Sequence, residues 1–168
     1  MKFEIPAALK QEHDDLRANV AAAGKEPGAL GEAARELAHL LEAHLAKEEQ
    51  LVYPPLGLLP AVVEGRITEE MAEAVAMTRQ LKDDLADMLL EHRRIQDALR
   101  KLRAAAASAS RPAYERFADA LIAHIETEEE VIYPASMLVG EHVAQHLERQ
   151  RAKGLVRTAP PWRSRPVP

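Results

Sequence analysis

Residues 44–54 read His44-Leu45-Ala46-Lys47-Glu48-Glu49-Gln50-Leu51-Val52-Tyr53-Pro54, and residues 124–134 read His124-Ile125-Glu126-Thr127-Glu128-Glu129-Glu130-Val131-Ile132-Tyr133-Pro134. His44 to His124 is a step of 80, and the same step carries Glu48 to Glu128, Tyr53 to Tyr133 and Pro54 to Pro134. A shorter echo lies upstream of each copy, Glu12-His13 and Glu91-His92, at a step of 79. Each half of the chain therefore supplies a lone histidine, then a histidine with a glutamate four residues on. Residues four apart share one helix face about a turn from each other, so His44 with Glu48, and His124 with Glu128, can serve a single centre.

Periodicity places these residues on helices. Pro6 to about Val20 is expected as the first helix, with Ile5, Leu9, Leu16 and Val20 on one face and His13 in the same row. Gly24 to Gly31, with Pro27 and Gly28, reads as a loop. The second helix spans about Leu30 to Tyr53 on a stripe of Leu30, Ala34, Leu37, Leu41, His44, Glu48 and Leu51. Tyr53-Pro54-Pro55 is expected to end it, because the residue before a proline is pushed out of the helical region. An apolar connection follows to about Gly65. Thr68 is the expected N-cap of a third helix, with Glu69 and Glu70 at the favourable end of the helix dipole. That helix runs to about Ala107 on Val75, Thr78, Leu81, Leu85, Met88, His92, Ile95, Leu99 and Leu102. A fourth, Pro112 to Tyr133, carries Tyr114, Phe117, Leu121, His124, Glu128 and Val131, and Pro134 is expected to terminate it. A shorter fifth helix follows at about Ser136–Arg151.

Four helices with one apolar stripe each bury those stripes together. The expected fold is all-α, an antiparallel up-and-down four-helix bundle with an additional short C-terminal helix. It covers residues 1–153, and 154–168 form a proline-rich irregular tail that Trp162 could pin to the body. The scarcity of aromatics, 4% of residues, favours helix over sheet in the same way. The net charge of −5 argues against nucleic acid as a partner. The absence of cysteine removes disulfides, iron–sulfur clusters and thiolate chemistry. No apolar run nears the ~20 residues that span a bilayer, and the first residues lack the apolar core of a secretory signal. No membrane association and a cytoplasmic location are the resulting expectations.

His13, His44, Glu48, His92, His124 and Glu128 all interrupt apolar stripes where leucine would be expected. A single histidine in such a stripe is ordinarily a hydrogen-bonded core residue. Two buried carboxylates facing each other are harder to accommodate, because each loses several kcal/mol of hydration unless paired. Two divalent cations remove that penalty, and imidazole with carboxylate suits iron or manganese. The near-twofold repeat suggests that one metal takes His13 and His44, the other His92 and His124, with Glu48 and Glu128 bridging. Glu49 or Glu129 could orient a ligand histidine, whereas Glu12, Glu91 and Glu130 read as solvated. Tyr53 and Tyr133, half a helical turn from their histidines, are expected to pack at the helix ends away from the metals. His39 lies off the stripe, and His142 and His146 lack a third ligand, so all three read as surface or boundary residues.

The order His13, His44 with Glu48, His92, His124 with Glu128 resembles the hemerythrin-like, or HHE cation-binding, domains over roughly residues 6–135. The resemblance implies an antiparallel four-helix bundle around a non-haem di-iron centre, with these six residues as iron ligands. Oxygen-carrying members have a fifth histidine one turn after the third-helix ligand, where this chain has Gln96, and an acid one residue further on in the fourth helix, where this chain has Glu129.

The expected cofactor is thus two iron ions, with manganese or zinc as alternatives, and the expected partner is O2, peroxide or nitric oxide. The role would be sensing, stress response or iron homeostasis. The alternative is a metal-stabilised helical interaction module without redox turnover. No nucleophile–base pair or phosphate loop points to a conventional hydrolase.

Overall fold

The computed structural model describes residues 3–154, which form helices and turns with no strand among the described residues. In chain order the helices are α1 (Ala7–Ala23), α2 (Gly28–Leu51), the short α3 (Tyr53–Leu56) and α4 (Leu59–Val63), α5 (Ala72–Ser108), α6 (Pro112–Thr127) and α7 (Tyr133–Ala152). A 3-10 turn, Glu69–Met71, leads into α5, and a π-helical turn, Glu128–Ile132, joins α6 to α7. The expected irregular tail and Trp162 lie, apart from Gly154, outside the described residues.

The expected stripes are the buried faces. His13, Leu16 and Val20 of α1, Leu37, Leu41 and His44 of α2, Met88, His92 and Ile95 of α5, and Phe117 and Leu121 of α6 all point inward. Helices α1, α2, α5 and α6 pack around this interior as an antiparallel bundle. Its neighbours in order are α1 with α2, α2 with α5, and α5 with α6; α1 and α6 close the ring along a much thinner seam. Thr68 precedes the 3-10 turn in extended conformation, but its side chain makes no capping bond.

Two departures from the expected pattern share one cause. Pro134 does not end the fourth helix: α6 continues through the π-turn into the 20-residue α7. Tyr133 keeps helical angles, φ −63 and ψ −50, despite the proline after it. A π-turn breaks the i→i−4 ladder, so the proline's missing N–H falls where no such bond is required. The same turn delays the helical rotation. Val131, expected inside, is 55% exposed, while Tyr133 is fully buried. In the first half, Pro54 and Pro55 likewise stand in the first turn of a new helix, α3, which begins after Val52.

The result is a long antiparallel hairpin of α5 against α6 and α7. The 37 residues of α5 reach about 55 Å at ~1.5 Å per residue. Thr78 packs against Gly140, where a Cβ would lie 1.8 Å from the Thr78 hydroxyl, so only glycine lets α5 and α7 approach this closely. Three apolar clusters lie along the molecule. One joins α1, α2, α5 and α6 through Leu37, Leu41, Leu99 and Leu121. A second holds Val52, Tyr53, Leu56, Leu81, Met88 and Tyr133. A third joins Phe3, Leu58, Ile67 and Val75 to Val139, Val143 and Leu147 of α7. The polar residues of interest sit between the first two.

Candidate metal centre

All six stripe-interrupting residues meet in the bundle interior. His13, Glu48 and His92 are fully buried, and His44 and Glu128 are 2% exposed. His124 is slightly more open, with 8% of its side chain exposed. Nε2 of each histidine faces the centre. Glu48 Oε1 lies 3.3 Å from His44 Nε2, while its Oε2 lies 3.4 Å from His13 Nε2. Glu128 mirrors this: Oε1 is 3.0 Å from His124 Nε2 and Oε2 is 3.4 Å from His92 Nε2. Each carboxylate thus spans two groups of nitrogen.

Those groups differ from the expected partition. The donors of His44, Glu48, His92 and Glu128 cluster within 4.8 Å of one another, and so do those of His13, His124 and Glu128. The ring centroids of His44 and His92 are 4.4 Å apart, and those of His13 and His124 are 5.9 Å apart. The pairs are therefore His44 with His92 and His13 with His124, not His13 with His44 and His92 with His124. Adjacency alone does not decide this, since α1 also packs on α2 and α5 on α6; the way the rings are set around the axis does. The linear order of a repeat does not encode that arrangement.

The outer nitrogen of every histidine is held by a carboxylate. His13 Nδ1 is 3.0 Å from Glu49, His44 Nδ1 is 3.0 Å from Glu91, His92 Nδ1 is 2.8 Å from Glu129, and His124 Nδ1 is 2.9 Å from Glu12. Such acceptors fix ring orientation and leave Nε2 free to coordinate. Glu49 and Glu129 fit the expectation. Glu12 and Glu91 correct it: neither is merely solvated. The signal lies in the repeated Glu-His dipeptides, each of whose glutamates serves a histidine of the other half. Arg17 donates to Glu49 at 2.7 Å, and Lys47 pairs with Glu91.

The tyrosines are a second correction. Tyr53 donates to Glu128 Oε1 at 2.7 Å and lies 2.6 Å from His13 Nε2. Tyr133 donates to Glu48 Oε1 at 2.5 Å and lies 3.2 Å and 3.3 Å from Nε2 of His92 and His44. The expectation assumed straight helices; the breaks after Leu51 and at the π-turn bring both phenols round to the centre. His39 and His142 are exposed and His146 is partly buried against Gln150, apart from this cluster.

The electrostatics are those of a strongly coupled site. Burial pushes the Glu128 carboxyl up, but His124, His13 and His92 outweigh it and hold the group well below the usual carboxylate range. Burial lowers His13, yet Glu128, Glu48 and Glu49 overcome it and raise the imidazole to about 10. His44 and His124 shift upward against burial through Glu48 and Glu128 respectively. Burial, then the charges of Glu48 and Glu128, pushes both phenols upward, so they stay neutral donors.

These residues fit bound metal on three grounds. Among the described residues, Glu48 Oε2 and His124 Nε2 are buried without a hydrogen-bond partner, which is costly unless something else satisfies them. The nitrogen–oxygen separations of 3.0–3.4 Å match ligands sharing one ion at bond lengths of about 2.0–2.2 Å. The donors are imidazole and carboxylate alone, with outer nitrogens already oriented.

An all-helical bundle that converges four imidazoles and two carboxylates on its axis defines a class of cation-binding helical protein. The family described as hemerythrin HHE cation binding domain matches residues 4–135, with a second match over 83–156. The chain belongs to that hemerythrin HHE cation-binding family. No curated protein and no solved structure matches it. No helix among the described residues is long and apolar enough to cross a membrane.

Proposed function

We propose that this protein holds two iron ions and binds or reacts with O2, peroxide or nitric oxide in the cytoplasm, as a sensor, a stress-response protein or a participant in iron homeostasis. The observation that supports this reading is the reach of Glu48 and Glu128, each with one oxygen toward either histidine pair. His44 and His92 would hold one ion, His13 and His124 the other, with the two glutamates shared. Imidazole with carboxylate suits iron, and manganese or zinc are the alternatives. Iron held there would supply open coordination positions and redox electrons for a small oxidant. The chain's own residues do the rest. Glu12, Glu49, Glu91 and Glu129 orient the imidazoles. Tyr53 and Tyr133 hydrogen-bond to the carboxylates. Val52, Leu56, Leu81 and Met88, packed with the two phenol rings, keep water from that side.

Protein purified without added metal should contain iron by elemental analysis. Anaerobic reconstitution with Fe(II), then exposure to O2 or nitric oxide, should produce near-ultraviolet charge-transfer bands. Lack of iron together with lack of such bands contradicts the reading. A metal-stabilised module without redox chemistry is separated by His92→Ala: its melting temperature falls with no oxidant reactivity to lose.

A further inference from the structure

The two halves of the centre are enclosed unequally. His44 and His92 come from α2 and α5, the most extensively packed neighbours in the bundle. His13 and His124 come from α1 and α6, which meet along the thinnest seam. The internal repeat makes the comparison direct, because Glu91 on His44 and Glu12 on His124 are equivalent positions. Glu91 is also bound by Lys47 and is 26% exposed. Glu12 has no cation partner among the described residues and is 49% exposed. Its bond to His124 Nδ1 competes with water, and such exposed charge pairs hold weakly. His124 is itself the least enclosed of the four imidazoles, and its Nε2 faces only Glu128, 3.0 Å away, without a well-formed hydrogen bond among the described residues. Apart from Glu128 on its inner nitrogen, His124 is thus held only by an exposed carboxylate, beside the thin wall of the bundle.

We infer that cations exchange through the seam between α1 and α6, at the His13–His124 half of the centre, and that Glu12 is the positioning residue that governs the exchange by holding His124 in place. This rests on the proposal that the site holds two cations. When the Glu12 contact opens, His124 turns outward along the seam and the cation shared with His13 becomes reachable. The His44–His92 half, walled in by α2 and α5 and with Glu91 held by Lys47, retains its ion longer.

The experiment uses the full chain loaded with Co(II), whose visible bands report coordination, then challenged with excess EDTA in a stopped-flow instrument. Release should occur in two phases of one ion each. Glu12→Gln should accelerate the faster phase by about tenfold and leave the slower within about twofold, the size expected for an outer partner of a ligand histidine. Glu91→Gln should accelerate the slower phase instead. Far-ultraviolet circular dichroism checks that each variant stays helical. Crystals soaked briefly in EDTA should show anomalous scattering only between His44 and His92. Uptake of two ions that leave in one phase, a fast phase indifferent to Glu12→Gln, or a residual ion between His13 and His124 overturns the inference alone. Failure to take up Co(II) at the centre overturns the two-cation proposal with it.

Discussion

Tyr53 follows Glu48 by one helical turn and a break, yet its hydroxyl donates to Glu128, the corresponding glutamate of the other half, at 2.7 Å. Tyr133 reciprocates on Glu48 at 2.5 Å. Two of the four outer carboxylates cross in the same manner, Glu12 serving His124 and Glu91 serving His44. The repeat therefore does not build two independent half-sites. Each half completes the other's, which ties the centre to the assembled bundle.

Tyr53→Phe removes a buried donor to a charged carboxylate while preserving the ring's packing. Hydrogen bonds to charged groups contribute about 1.5–3 kcal/mol. Metal-free Tyr53→Phe should lose stability in that range by urea denaturation while keeping its helical content. Tyr133→Phe should behave alike, since it relieves Glu48 of its equivalent bond. Unchanged midpoints for both variants would show that the phenols only fill space.

The metal-free and metal-loaded proteins should respond to pH in opposite senses. Burial lowers His13, but Glu128, Glu48 and Glu49 prevail and carry its pKa from 6.5 to about 10; His44 and His124 move the same way. A raised folded-state pKa gives stability that is complete below the unfolded value and fades as pH climbs through the folded one. The metal-free protein should thus weaken progressively between about pH 6.5 and pH 10. Metal binding needs the imidazoles deprotonated, so affinity should fall as pH drops and uptake should release protons. Calorimetric titration in buffers of different ionisation enthalpy counts those protons. A metal-free denaturation midpoint that rises over the alkaline range would contradict the sign.

Gly140→Val tests the junction of α5 and α7 without touching the centre. The added Cβ would lie 1.8 Å from the Thr78 hydroxyl and 2.7 Å from its Cβ, inside any tolerable contact. Overpacking of this kind costs about 1–3 kcal/mol. Thermal unfolding should report that loss, and Thr78→Ala in the same chain should restore part of it. A neutral Gly140→Val would mean that α7 shifts freely on α5.

Much of this architecture was legible from periodicity. Leu37, Leu41, Met88, Ile95 and Leu121 announce their inward faces by spacing alone, and histidines in those rows announce a polar centre. What periodicity could not supply is three-dimensional adjacency. Each helix of the ring has two neighbours, so the partition His44–His92 and His13–His124 depends on how the four rings are turned about the axis, which only the assembled packing sets. The tyrosines were misplaced because a phase count assumes 3.6 residues per turn throughout. The π-turn at Glu128–Ile132 breaks that count, turning Val131 out and Tyr133 in. Glu12 and Glu91 read as solvated for a related reason: a carboxylate beside a stripe looks exposed until the neighbouring helix brings an imidazole to it.

The most direct measurement of the central claim is anomalous diffraction from crystals of the iron-loaded protein, paired with elemental analysis of the same sample. Two ions per chain are predicted, one bonded to Nε2 of His44 and His92 and one to Nε2 of His13 and His124, with Glu48 and Glu128 contacting both. A chain without bound metal, or with ions on the surface while these six side chains bond only to one another, would contradict it.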